Sequence, residues 1–139
     1  MNAKNQYLLL FSGCEWYNQL SATEIQDVID QTKAWFERLS SAGKVKGAQA
    51  LARSGATISG KNPRIISDGP FAETKEAIGG YLMLEADSLE EVIAIAKASP
   101  VVRHGSNIEI RPLSDECPLD IRARQLGCQG QSAEQLATA

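Results

Sequence analysis

Histidine is nearly absent from this 139-residue sequence: His104 stands alone, so a site built from several imidazoles of one subunit is excluded, and with it the usual mononuclear zinc enzyme. The three cysteines, Cys14, Cys117 and Cys128, form no C-x-x-C pair and are odd in number. Neither a disulfide framework nor a thiolate metal site follows, and free thiols are expected. No apolar run exceeds the five residues of Tyr7–Phe11, far below the roughly 20 that span a bilayer, and the first residues lack the apolar core of a secretion signal. A cytoplasmic protein without a membrane partner is expected. Basic residues are in deficit, 14 against 17 acidic for a net charge of −3, which argues against a nucleic-acid partner. No phosphate-binding loop, nucleophile elbow or dinucleotide fingerprint occurs, and no cofactor is implied.

What remains is a chain sized for one domain, 43% hydrophobic and 22% charged. Tyr7–Phe11 reads as a central strand apolar on both faces. Ser21-Ala22-Thr23-Glu24 has capping-box spacing, and Ile25, Val28, Ile29, Thr32, Phe36 and Leu39 follow at helical intervals, predicting a helix over about 21–41 before Gly43. Val45–Ala52 is a weaker extended stretch. Ala56–Ser59 and Arg64–Ser67 flank Gly60-Lys61-Asn62-Pro63, a tetrapeptide suited to a hairpin. Tyr81–Ala86 is a further strand. A second helix starts at Asp87 or Ser88, presents Leu89, Val92, Ile93 and Ala96, and stops at Ser99-Pro100; Asn107–Pro112 alternates as the last strand.

That order predicts an α+β fold, the ferredoxin-like split βαβ arrangement: an antiparallel sheet, both helices on one face, and a hairpin insert. Assigning Leu8, Leu10, Leu82, Leu84, Ile108 and Ile110 to the helices sends Tyr7, Leu9, Phe11, Tyr81, Met83, Glu85, Glu109 and Arg111 to the open face. Such a face is too apolar for water, so two sheets are expected to pack face to face in a homodimer around a partly polar cavity. Residues 1–113 form the expected domain, and 114–139, poor in hydrophobics, an arm.

Asp68-Gly69-Pro70-Phe71-Ala72-Glu73-Thr74-Lys75-Glu76, with Gly79-Gly80-Tyr81, Pro100, Arg103-His104-Gly105 and Ile108–Pro112, resembles the bacterial YCII-related family of DGPF-motif proteins over roughly residues 5–113. The resemblance implies the dimeric α+β barrel form of the ferredoxin-like fold. It implies no established activity. Members of that family are often encoded beside extracytoplasmic-function sigma factors, and related proteins carry a His and Asp pair suspected of catalysis.

Asp68 and His104 are the candidate catalytic residues. Asp68 has two readings, a turn residue accepting backbone N–H bonds or a carboxylate held rigidly toward a cavity. His104 is the one side chain of a type that changes charge near neutral pH, although a histidine at a strand entry also serves as a cap. Taking the first and third core strands as parallel and the last as antiparallel to them places Asp68 and His104 at opposite ends of the sheet, about 20 Å apart, which disfavours a direct pair. The Ser12–Leu20 loop, with Trp16 and Tyr17, is expected near His104. Tyr81, Phe71, Arg111 and Glu109 are the candidate ligand-binding residues, and Glu85, Glu109 and Arg111 a candidate cross-strand ion network. Two functions are compatible with these residues: a small cofactor-independent enzyme moving a proton on a small organic molecule, or a non-catalytic small-molecule-binding or regulatory module in sigma-factor signalling.

Overall fold

The computed structural model describes residues 5–13, 15–62, 64–68 and 77–127, with 64–68 described by their backbone. Strand β1 (Gln6–Ser12) is followed by a 3-10 turn (Trp16–Gln19) and helix α1 (Ala22–Ser41). Then come β2 (Val45–Ala50), β3 (Ala56–Ser59), β4 (Arg64–Asp68), β5 (Gly80–Glu85) and α2 (Leu89–Lys97). A second 3-10 turn (Val102–His104), β6 (Asn107–Pro112) and α3 (Pro118–Gln125) follow among the described residues. The capping box at the start of α1 forms as its spacing predicts: Glu24 N–H donates to Ser21 Oγ (3.2 Å) and Ser21 N–H to Glu24 Oε1 (3.0 Å). Ser88, rather than Asp87, caps α2, its hydroxyl accepting from Glu91 N–H at 3.2 Å.

Four strands pair in the order β2-β5-β1-β6, every neighbour antiparallel, and β3 pairs with β4 in a separate two-stranded ribbon. Both α1 and α2 cover one face of the sheet, since Trp35 and Leu39 of α1 and Val92 and Ala96 of α2 join Leu9, Leu82 and Leu84 in one buried cluster. This is the ferredoxin-like α+β arrangement that the element order predicts. Leu9, Leu84 and Val92 are fully buried, each stabilising the fold by roughly 1.5–3 kcal/mol relative to exposure. Trp35 also joins the two helices, its Nε1–H donating to the Ile95 carbonyl at 3.1 Å.

Three expectations are corrected. In β1 the parity is reversed: Leu9 lies opposite Leu82 and Tyr7 opposite Leu84, so Tyr7, Leu9 and Phe11 face the helices, while Leu8 and Leu10 face outward with Met83 and Tyr81. Five consecutive apolar residues offer both parities, and only the cross-strand partners choose between them. The strand directions also differ: β5 and β6 both run antiparallel to β1 and hence parallel to each other, with Phe11 opposite Gly80 and Ser12 opposite Asn107. The starts of β5 and β6 therefore share one end of the sheet, two strand spacings or about 10 Å apart, and the opposite-ends argument against an Asp68–His104 pair falls. On the helices, Trp35 carries the core contact while Ile29 of α1 and Leu89 and Ile93 of α2 are exposed. Among the described residues, no helix is long and apolar enough to cross a membrane.

Candidate functional site

Two glycines shape the end of the sheet where β1 leaves and β6 begins. Gly13 (φ +86°) and Gly105 (φ +108°) occupy the left-handed region, and a Cβ on Gly13 would lie 2.9 Å from the Gly105 carbonyl oxygen. A Cβ on Gly105 would meet that of Trp16 at 3.3 Å. The buried Ser106 closes the junction by donating from Oγ to the Ser12 carbonyl at 3.1 Å. This close approach stacks the His104 ring on the indole of Trp16, centroids 5.8 Å apart and planes at 20°. Tyr17 meets Trp16 edge-on at 5.5 Å, and its hydroxyl accepts from Arg53 Nη2 at 2.7 Å. The Ser12–Leu20 loop thus lies beside His104, as its exit from the sheet predicts.

The turn bearing His104 is tied to α1, because Arg103 Nη2 donates to Gln31 Oε1 at 2.5 Å. Glu24, in the first turn of α1, has its carboxyl held below the ordinary 4.5, first by the Ser21 backbone N–H and then by the Ser21 hydroxyl. A charged His104 pulls in the same direction.

On the open face the register builds two rows across the sheet. One runs Gln49, Tyr81, Leu10, Glu109; the other runs Gly47, Met83, Leu8, Arg111. Tyr81, Glu109 and Arg111 therefore share this face, whereas Phe71 lies outside the described residues. Asp68 ends β4 with its backbone opposite Ala56, and its side chain is likewise outside the description. The three-residue ion network does not form. Arg111 pairs with Glu109 on its own strand at 3.4 Å, and Glu85, separated from β6 by β1, lies 3.6 Å from Lys46 on β2.

On the helix face a cleft of about 470 Å³ opens between α1, the starting end of β5 and the segment after α2. Phe11, Trp35 and Phe36 line it with Thr32, Ser99 and Val101, and Gln49 of β2 and Tyr81 of β5, from the open-face row, also border it. His104 is not among the lining residues, although its backbone N–H bonds to the Val101 carbonyl at 3.2 Å. The hydroxyls of Thr32 and Ser99 are buried with no hydrogen-bond partner among the described residues. Sequence reasoning saw Thr32 as one position of a helical stripe and Ser99 as a helix stop. The nearest signal of a cleft was a polar residue on the apolar face of α1, one turn from Trp35. Among the described residues no group of three or more His, Cys, Asp or Glu side chains could hold a metal.

A family model described as the YCII-related domain matches residues 9–115. The chain belongs to the YCII-related family. This YCII-related chain is 39% identical over 54 residues to an uncharacterized protein, R00369, of Rhizobium meliloti (strain 1021), a match that takes in 36% of the chain and 41% of that relative. The chain thus spans about two fifths of the length of the curated relative it matches. Among solved structures it is similar to 5-chloro-2-hydroxyhydroquinone dehydrochlorinase from Burkholderia phenoliruptrix AC1100, seen in complex with 2,5-dihydroxybenzoquinone. That pair is 17% identical with a TM-score of 0.44, covering 78% of this chain and 93% of the other.

Proposed function

We propose that this YCII-related chain is a homodimeric, cofactor-independent enzyme that moves a proton on a small organic molecule, with His104 or Asp68 as the proton-transferring group. The observation that carries this reading is the convergence at one end of the sheet. The turn bearing His104, the start of β5 and the mouth of the helix-side cleft lie there together, and the Arg103–Gln31 bond joins the His104 turn to the helix turn that bears Thr32. Half-buried Leu8, Leu10, Tyr81 and Met83 support the dimer, because an apolar sheet face of this kind is normally covered. The separation of a 1–113 domain from a 114–139 arm is part of the same proposal. It is supported by α3, which has no buried residue and exposes Leu119 and Leu126.

A binding module is the second reading, favoured by the position of the His104 ring against Trp16 rather than among the cleft residues. Histidine-ring NMR separates the two without assignment, since the chain has one imidazole. With His104 as the proton-transferring group the ring signals move when a small metabolite binds and His104→Gln abolishes its turnover, whereas with Asp68 in that role Asp68→Asn abolishes turnover, in either case with the melting temperature intact. Ring signals indifferent to a saturating ligand, with binding retained in both variants, would leave the binding module.

A further inference from the structure

The helix-side cleft carries more information than its place in the fold. Its walls are mostly aromatic and aliphatic, with Gln49, Thr32 and Ser99 as polar members, and none of its described lining residues is charged. Among the described residues a charged ligand would find no counter-charge there, so this lining suits a neutral occupant. At about 470 Å³ the space is near the lower end of small-molecule sites, which run from about 300 to 1,000 Å³.

Two of the polar groups, both hydroxyls, stand without a hydrogen-bond partner among the described residues. Ser99 is only 1% exposed; its backbone N–H bonds to the Ala96 carbonyl at 3.1 Å and its carbonyl accepts from Val102 N–H at 3.3 Å, yet its Oγ has no partner among the described residues. Thr32 sits mid-helix, where a threonine hydroxyl commonly bonds back to the carbonyl four residues earlier, and its Oγ1 does not do so. Buried hydroxyls are nearly always satisfied. Two exceptions among the residues lining one cleft mark where a ligand's polar edge belongs.

We propose that this cleft binds a small, neutral, ring-shaped molecule bearing a hydroxyl or carbonyl, its ring packed against Phe11, Trp35 and Phe36 and its polar edge bonded to the hydroxyls of Thr32 and Ser99. The inference rests on reading this end of the sheet as a small-molecule site and adds the class of ligand. The ring contacts supply area and edge-to-face geometry, and the hydroxyls supply orientation.

Benzyl alcohol, toluene and benzoate test it as probes of similar size that differ in the feature at issue. Binding is followed at the Trp35 indole N–H signal, identified by its loss in Trp35→Phe. Benzyl alcohol is expected to bind about tenfold more tightly than toluene, the effect of roughly one buried hydrogen bond, and benzoate not to bind. Thr32→Val with Ser99→Ala removes both hydroxyls at little change in volume, and is expected to erase the preference for benzyl alcohol while leaving toluene binding unchanged. The inference is overturned if benzyl alcohol fails to bind or binds no better than toluene, if benzoate matches it, or if the preference survives in the double variant. The His104 ring signals, recorded in the same titration, keep the two readings apart. Hydroxyl-dependent binding with fixed His104 signals upholds the cleft and removes His104 as the proton-transferring group. A charged metabolite that moves His104 while benzyl alcohol is ignored does the reverse.

Discussion

At the scale of single residues, the His104 turn depends on positions with no side chain at all. Gly13→Ala would place a Cβ 2.9 Å from the Gly105 carbonyl on a backbone at φ +86°. The substitution is expected to destabilise the fold by about 1–3 kcal/mol, read by chemical denaturation, and to loosen the Trp16–His104 stack, read as a change in indole fluorescence. A substitution that leaves both unchanged would show that the junction tolerates bulk. Elsewhere, Lys44 and Glu91 are in contact at the bottom of α2, each about 29% exposed. The Lys44 hydrogen bond and then the Asp87 backbone N–H hold the Glu91 carboxyl below its ordinary 4.5, and the same contact raises Lys44. A carboxyl whose folded value is depressed contributes stability that is present above about 4.5 and lost as pH falls through the folded value. The melting temperature is therefore expected to drop as pH falls below about 4.5, and the drop to be shallower in Glu91→Gln. Parallel curves for the two proteins would remove this pair from the acid response.

At the scale of elements, α1 depends on its first turn. Ser21→Ala removes one partner of the capping box and is expected to cost about 1 kcal/mol, measured by urea unfolding. A loss of less than a few tenths would show that tertiary packing alone holds the helix start. This helix and its cap were legible in the sequence because Ser21 and Glu24 bond within three residues of each other, as was the placement of both helices over one sheet face. Helical spacing did not identify Trp35 as the buried ring, since a stripe that admits Ile29 and Phe36 straddles it. The parity of β1 was illegible for a different reason. Leu8 and Leu9 are the same side chain, and the choice between them belongs to partners 73 and 101 positions downstream, Leu82 and Ile110 opposite Leu9. The cleft was hidden on similar grounds: Phe11, Thr32 and Ser99 come from three distant segments, and an unpaired hydroxyl cannot be seen before its surroundings are built.

At the scale of the whole molecule, the open sheet face decides the assembly. With β1 in its observed parity, the outward residues are Leu8, Leu10, Tyr81 and Met83, and Tyr7 and Phe11 no longer take part. Light scattering of the native chain at micromolar concentration is expected to report about twice the 15.0 kDa chain mass. Tyr81→Glu, which sets an unpaired charge in the middle of that face, is expected to return the mass to that of one chain with the fold intact by circular dichroism. A native mass of one chain would refute the dimer. The doubly apolar central strand has a further consequence, one that concerns synthesis. Gln6–Ser12 leaves the ribosome long before either neighbour exists: Leu82 follows Leu9 by 73 residues and Ile110 by 101. At elongation rates of roughly 5–20 residues per second, the Tyr7–Phe11 segment waits several seconds without its strand partners. During that interval α1 is the one large element of the four-stranded core already available to cover it. The nascent chain therefore offers a chaperone an uncharged hydrophobic stretch, and the completion of β6 withdraws it.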